Sequence, residues 1–272
     1  NSYHYQSLVI MSRISKTLGY FDDYYFFKNR SLKVKNSINK KLINPTSGLY
    51  IDGEGSNHSS LHANFLPLKF EIIPKKNKKK IIDFVKNKGM GCSPYSAQHL
   101  LDALYKNEES EYGLKLLTSK GDRSWAHWIY DLGATMTLEA WDFKYKPNMD
   151  WNHAWGSAPG NIITNYIMGI QPLKPGFEVV RIKPQLNKIK TAKLNYSTIR
   201  GEISMSIINN YNKKFSMDIN IPANMEAEIH FPKYFNNQKI KMNGKIIDYI
   251  EKENFLIVQN IGSGQKYFDV LE

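Results

Sequence analysis

The chain has 272 residues, 42% of them hydrophobic and 23% charged, with a formal net charge of +12. That length supports a sizeable core in one large domain or two ordinary ones. No apolar run approaches the roughly 18–20 residues of a membrane span, and the single cysteine, Cys92, excludes internal disulfides and cysteine-based zinc sites.

Helical patterning dominates to about residue 170. It is already amphipathic from Tyr3 to Leu18, where Gly19 supplies a stop. No basic-then-apolar leader opens the chain, so the expectation is a chain that begins inside a domain, with localisation not readable from it. Asp22 is placed to cap a second helix in which Tyr24, Phe27, Val34, Ile38 and Leu42 recur at near-helical spacing. Asn44-Pro45-Thr46-Ser47-Gly48 breaks it, and a glycine-rich loop covers Ile51 to Asn57. Helical spacing resumes near Ser59 and is disturbed at Pro67. A further helix follows Pro74 and ends at Gly89, and Ser93-Pro94 is a cap-plus-first-residue pair for the next. Others are predicted over roughly 109–118, 135–144 and 156–169.

Part of the positive charge is concentrated in Lys75, Lys76, Lys78, Lys79 and Lys80, where the helix after Pro74 begins. Nucleic-acid binding calls for basic residues interleaved with exposed aromatics or a known motif, and none is present. The run therefore reads as a solvated helix face, with attraction towards an acidic polysaccharide as the other use of the charge.

After Pro172, Pro175 and Gly176, which read as a linker, the hydrophobic period drops towards two. Glu202 to Ile207 and Met217 to Ile221 alternate strictly. Turns are predicted at Asn209-Asn210, Asn236-Asn237, Asn243-Gly244 and Gly262-Ser263-Gly264. Runs of helices followed by runs of strands argue for two domains, the second an antiparallel β-sandwich.

All five tryptophans, Trp125, Trp128, Trp141, Trp151 and Trp155, fall in one short window. Indole faces are platforms for the apolar faces of sugars, and their N–H can bond a hydroxyl. At least two are expected to stack on carbohydrate, although each singly also suits a core. In Gly133 to Asp142, a helix starting near Thr135 or Thr137 puts Glu139 in its first turn, where the helix dipole favours an ionised carboxylate. A capping-box glutamate is the alternative on local sequence. Asp150-Trp151-Asn152-His153-Ala154-Trp155 adds an imidazole and an amide flanked by indoles. His58 and His62 are spaced i, i+4 without a zinc-protease signature, and read as a polar wall of the same cavity. No cofactor or metal is expected.

The segments GSNHSSLHANFLPL, GCSPYSAQHLLDALY, RSWAHWI, GATMTLEAWDFKYKPNMDWNHAWGSAPGNII and MGIQPLKPGFEVVRIKPQ resemble, in order and spacing, successive motifs of glycoside hydrolase family 78, the α-L-rhamnosidases. The resemblance spans about residues 1–205. It implies an (α/α)₆ catalytic barrel followed by a β-sandwich, here divided as 1–172, the C-terminal half of the barrel, and 178–272. It also implies inverting hydrolysis of terminal α-L-rhamnosyl residues. It carries the general-base role to Glu139 and, through the matching Asn152-His153 pair, a sugar-binding role to His153; the residues read above add Asn152, Trp125, Trp128, Trp141, Trp155 and His58 as substrate-binding candidates.

The family's general-acid motif, of the form R-D-E-x-x-G-W-x-G-D, has no counterpart in this chain. An inverting glycosidase needs both an acid and a base, and twelve helices do not fit in about 170 residues, whereas about seven do. The expectation is a truncated gene product or a subunit completed by a complementary upstream half, inactive alone and with bare apolar helix faces that favour self-association. The alternative is a non-catalytic carbohydrate-binding remnant. A polysaccharide lyase, which needs a Tyr/His proton-abstracting pair, is not supported. The expected partner is a rhamnose-containing oligo- or polysaccharide, with no nucleic acid and no membrane.

Overall fold

In the computed structural model, residues 1–210, 213–234 and 236–271 are described. The chain divides into two compact units, Asn1–Ala158 and Pro159–Glu272.

The first unit is helical. Helices α1 (Ser2–Thr17) and α2 (Phe21–Leu42) pack along each other as a hairpin turned at Gly19, whose φ of +81° suits glycine. Asp22 lies in the first turn of α2, two positions past the N-cap, which is Tyr20. Outward-facing Ile10, Ile14 and Leu18 form an apolar stripe on α1, and Phe21, Tyr25 and Phe26 are exposed on α2. Helix α3 (Leu61–Lys69) starts at Ser60, whose hydroxyl accepts from the Ala63 N–H at 3.1 Å. It packs on α4 (Lys75–Lys88) and α5 (Pro94–Lys106).

The lysine run lies along the exposed face of α4. Asn77, in its midst, turns inward and donates to the Gly48 carbonyl at 2.9 Å, while Ile81, Ile82 and Val85 face the core. Ser93 caps α5 as its sequence implies. Ala97, Leu100, Leu101 and Leu104 of α5 are fully buried, so truncating a leucine here costs about 2–5 kcal/mol. Helix α6 (Ser110–Leu117) approaches α5 closely at Gly113, where an added Cβ would come 2.6 Å from the Tyr105 ring.

Two of the predicted helices do not form as expected. Residues 135–144 form no helix. Thr137 and Glu139 point away from the core while Leu138 and Ala140 are buried, the alternation of an extended segment. Their backbone bonds go instead to the chain near Asp150 and His153. A helix does form over Trp125–Tyr130 (α7), capped by the Ser124 hydroxyl, which accepts from the His127 N–H at 3.1 Å. After a 3₁₀ turn at Ala154–Ser157, α8 (Ala158–Ile162) passes into a single π turn, Ile163–Ile167, in place of one continuous helix.

The second unit holds two sheets. One orders as β1 (Ile170–Pro172), β2 (Val179–Ile182), β6 (Glu226–Pro232), β10 (Phe255–Ile261) and β9 (Ile250–Lys252). The other orders as β3 (Thr191–Thr198), β4 (Gly201–Asn210), β5 (Lys214–Ile221), β11 (Gly264–Leu271), β7 (Lys239–Met242) and β8 (Lys245–Ile247). Among the described residues, the strands pair antiparallel except β2 with β6, which run parallel. The sheets meet through Phe231 of β6, whose ring lies 5.9 Å from that of Phe215 on β5 and 5.2 Å from that of Phe268 on β11. Pro172 to Gly176 is not a linker but the turn of the β1–β2 hairpin. Asn209-Asn210 is not a turn either, because Asn209 is buried within β4 and its amide donates to the carbonyls of Asn187 and Ile189. Asn243-Gly244 does turn β7 into β8, with both φ angles positive (50° and 81°), the geometry that this dipeptide favours.

Candidate functional site

Two short extended segments of the first unit create the site. The His153 N–H donates to the Thr137 carbonyl at 2.8 Å, and the Thr137 hydroxyl returns a bond to the His153 carbonyl at 2.7 Å. Two residues on, the Glu139 N–H donates to the Asp150 carbonyl at 3.1 Å. Gly156 lets the chain close over this pairing, since a Cβ there would sit 2.9 Å from the Leu138 carbonyl oxygen, the Thr137 Cβ and the Trp128 ring.

Beneath the pairing lies an aromatic core. Trp125, Trp128 and Trp141 pack edge-on or tilted with ring centroids 5.0–6.4 Å apart, all buried. Each indole N–H is taken by a backbone carbonyl: that of Trp125 by Gly156, that of Trp128 by Ala140 and Trp141, that of Trp141 by Cys92. Trp125 and Trp128 therefore hold the site up from below and offer no open face or free N–H to a sugar. That corrects the expectation of a binding role for them.

Above this core is a cavity of about 510 Å³, within the range of small-ligand sites. Its lining includes Glu139, Trp141, Trp155, Lys146, Arg123, Tyr95 and His62. Trp155 is 38% exposed, and its indole donates to the Glu139 carbonyl at 3.2 Å. Its ring stacks flat on His153, centroids 3.7 Å apart and planes 12° from parallel, which fixes both. Asn152 and Trp151 are exposed beside it, Trp151 against Phe143, and neither lines the cavity. His58 also lies off the cavity. Its Nδ1 is 2.5 Å from Asp52, on a loop, so His58, like Asn152, is an expected residue that does not line the cavity, while His153 adjoins it through its stack on Trp155 without being part of the lining. Its neighbour His62 does line the wall, and burial pushes the His62 imidazole below its ordinary value, favouring the neutral form.

Glu139 is held by two donors. The Lys146 ammonium bonds one carboxylate oxygen, and the Asp150 N–H donates to the other at 3.1 Å. The Lys146 bond first, then the Asp150 N–H, hold this carboxyl below the usual glutamate range. The charged form is thus secured by a lysine and a loop amide, not by a helix dipole. Lys146 and Arg123 escaped the sequence reading. The signal for Lys146 was a cation seven residues beyond the candidate base, in a loop otherwise read as a helix end.

One ligating atom each from Glu139, Asp150 and His153 lies within 4.8 Å of the others, the group able to hold a metal among the described residues. Two carboxylates and an imidazole suit a divalent cation, but the Lys146 ammonium already supplies the positive charge at Glu139. The same distance bears on acid–base chemistry. Inverting glycosidases separate acid and base by about 6.5–9.5 Å to admit a sugar and a water. Asp150 stands too near Glu139 to be that acid, and Glu139 is the only carboxylate among the described cavity-lining residues.

Residues 1–167 match the bacterial alpha-L-rhamnosidase 6 hairpin glycosidase domain, and residues 169–245 match the bacterial alpha-L-rhamnosidase C-terminal domain. No curated protein sequence matches the chain. Among solved structures, the alpha-L-rhamnosidase from Dictyoglumus thermophilum superposes with a TM-score of 0.88 at 25% identity, over 100% of this chain and 32% of its own. The Streptomyces avermitilis alpha-L-rhamnosidase, solved in complex with L-rhamnose, gives 0.83 at 18% identity over 98% of this chain and 26% of its own. The Aspergillus terreus alpha-L-rhamnosidase gives 0.79 at 19% over 98% and 30%. The chain thus spans about a third or less of the length of these relatives.

Proposed function

Because the chain belongs to the bacterial α-L-rhamnosidase family, we propose that it forms the base-bearing part of an inverting α-L-rhamnosidase site, with Glu139 as the general base. The observation that carries this reading is a glutamate kept ionised by Lys146 and the Asp150 N–H at the wall of an indole-lined cavity. In the reaction, Glu139 takes a proton from a water whose oxygen attacks the anomeric carbon. The glycosidic bond breaks, and the leaving oxygen receives a proton from an acid across the ring. The stack of His153 on Trp155 offers an imidazole for hydroxyls and an indole face for the sugar's apolar side. Asn152, exposed beside His153, adds an amide within the same loop.

The acid comes from polypeptide beyond these residues, since among the described residues no second carboxylate lines the cavity. The 272-residue chain by itself is accordingly a weak catalyst or a binder. The test is hydrolysis of p-nitrophenyl α-L-rhamnoside by the chain alone and with a complementary polypeptide carrying the acid motif. Glu139→Gln should lower the complemented rate by ~10²–10⁴-fold while rhamnose binding persists. Full turnover of an unactivated rhamnosyl disaccharide by the chain alone, or by the Glu139→Gln variant, would refute the assignment.

A further inference from the structure

The cavity holds a cation that the base does not use. Arg123, at the entrance to α7, lies with its guanidinium carbon 4.6 Å from the Tyr145 ring centroid. Stacking on an aromatic face fixes the plane of a guanidinium while leaving the N–H fork at its edge for an acceptor. Among the described residues, Arg123 has no ion pair and its side chain makes no hydrogen bond. Lys146, the other cation of the cavity, is committed to Glu139, and Lys144 close by is committed to Asp122. Burial favours the neutral form of His62. The charges lining the cavity are therefore Arg123 and Lys146 against Glu139, an excess of one positive charge located on Arg123.

A half-buried, pre-oriented guanidinium with an unclaimed donor fork is a receptor for a planar anion, for which carboxylate is the geometric match. We infer that Arg123, held on Tyr145, binds the carboxylate of an acidic sugar in the same glycan that presents its rhamnose to Glu139. The substrate class is then a rhamnosyl uronate rather than a neutral rhamnoside. This inference rests on the rhamnosidase reading above and narrows it. The net charge of +12 acts in the same direction at longer range, drawing a polyanionic chain to the protein.

The experiment is calorimetric titration of the full 272-residue chain with two disaccharides of matched shape, α-L-rhamnosyl-(1→4)-D-glucuronate and α-L-rhamnosyl-(1→4)-D-glucose, at low and high salt. The uronate should bind roughly tenfold tighter at low salt, as charge-assisted pairing implies, and the gap should narrow as salt is added. Arg123→Gln should bring the ratio of the two affinities close to one. Arg123→Lys, with the charge but not the fork, should retain only part of it. The salt series on the unmodified chain needs no variant, so a folding defect in Arg123→Gln leaves the test intact. Equal affinity of the unmodified chain for both disaccharides overturns the inference and leaves the rhamnoside reading standing, as does an equal loss for both in Arg123→Gln. Binding of neither disaccharide overturns the rhamnoside reading and the inference together.

Discussion

The imidazole of His127, on α7, reaches Asp142 on the loop that carries Glu139, with Nε2 2.7 Å from an Asp142 carboxylate oxygen. Its other nitrogen, Nδ1, is equally close to Asp131 at the end of the same helix. Carboxylates only accept, so both ring nitrogens donate and the ring is an imidazolium. Burial opposes that charge, but the bonds to Asp131 and Asp142 outweigh it and hold the His127 pKa above the ordinary histidine value.

A raised folded-state pKa stabilises the fold fully below the unfolded value, about 6.5, and that contribution is lost as pH rises through the higher folded-state value. Lys144 and Asp122, the other charges around Asp142, stay ionised across this window. Comparing urea midpoints at pH 6 and pH 9, His127→Gln should lose about 1.5–3 kcal/mol at the lower pH and less at the higher. An equal loss at both would mean that the ring is neutral and merely packed.

Lys146 should set the ionisation of the candidate base. Replacing it with methionine removes the largest influence lowering the Glu139 pKa, so the carboxyl should titrate at higher pH. Carboxyl ¹³C resonances followed by NMR through an acid titration read this directly. An unmoved Glu139 midpoint in Lys146→Met would show that the Asp150 N–H alone holds the charge.

Cys92 should be inert in the native protein. Burial pushes its thiol up to about 12, and the thiolate is the reactive form. Ellman's reagent at pH 8 should find close to no thiol before unfolding and one after it. Rapid native labelling would mean that the floor of the cavity opens.

Gly156→Ala should disturb the site from beneath. The added methyl meets a backbone oxygen and the Trp128 ring, and overpacking of this kind costs about 1–3 kcal/mol. Thermal unfolding gives the loss. A shift of tryptophan emission towards longer wavelength would report loosening of the indole core, and a variant as stable as the parent would show that the two segments are not in close contact there.

Local chemistry was mostly readable in the sequence where a residue's partner lies within a turn of it, although Asp22 sits in the first turn of α2 without capping it. Ser93-Pro94 starts a helix, Asn243-Gly244 reverses two strands, and the lysines of α4 face solvent. Several misreadings share one cause, a partner distant along the chain. Thr135 to Asp142 contains helix-compatible residues, but its backbone pairs with residues 11 to 16 positions on, and only the burial of Leu138 and Ala140 betrays the strand-like period. The run WAHWIY has too few polar residues to display a helical face, so α7 gave no signal. Asn209 reads as a turn residue because the three partners of its buried side chain, at Asn187, Ile189 and Tyr234, are far away in sequence. For the tryptophans, composition marked the right window but could not separate the three whose N–H groups bond backbone carbonyls of the core from those at the surface.

The apolar stripe on α1 also governs how the protein behaves in a tube. Ile10, Ile14 and Leu18 face water on successive turns, with Leu18 62% exposed, and Phe21, Tyr25 and Phe26 extend the surface onto α2. Attraction between such surfaces is entropic near room temperature and weakens on cooling. Clouding of a concentrated solution should therefore set in on warming and recede on ice. Ammonium sulfate should precipitate the protein at lower concentration than it does a variant with Ile14 and Leu18 changed to glutamine, because excluded salts penalise exposed apolar area.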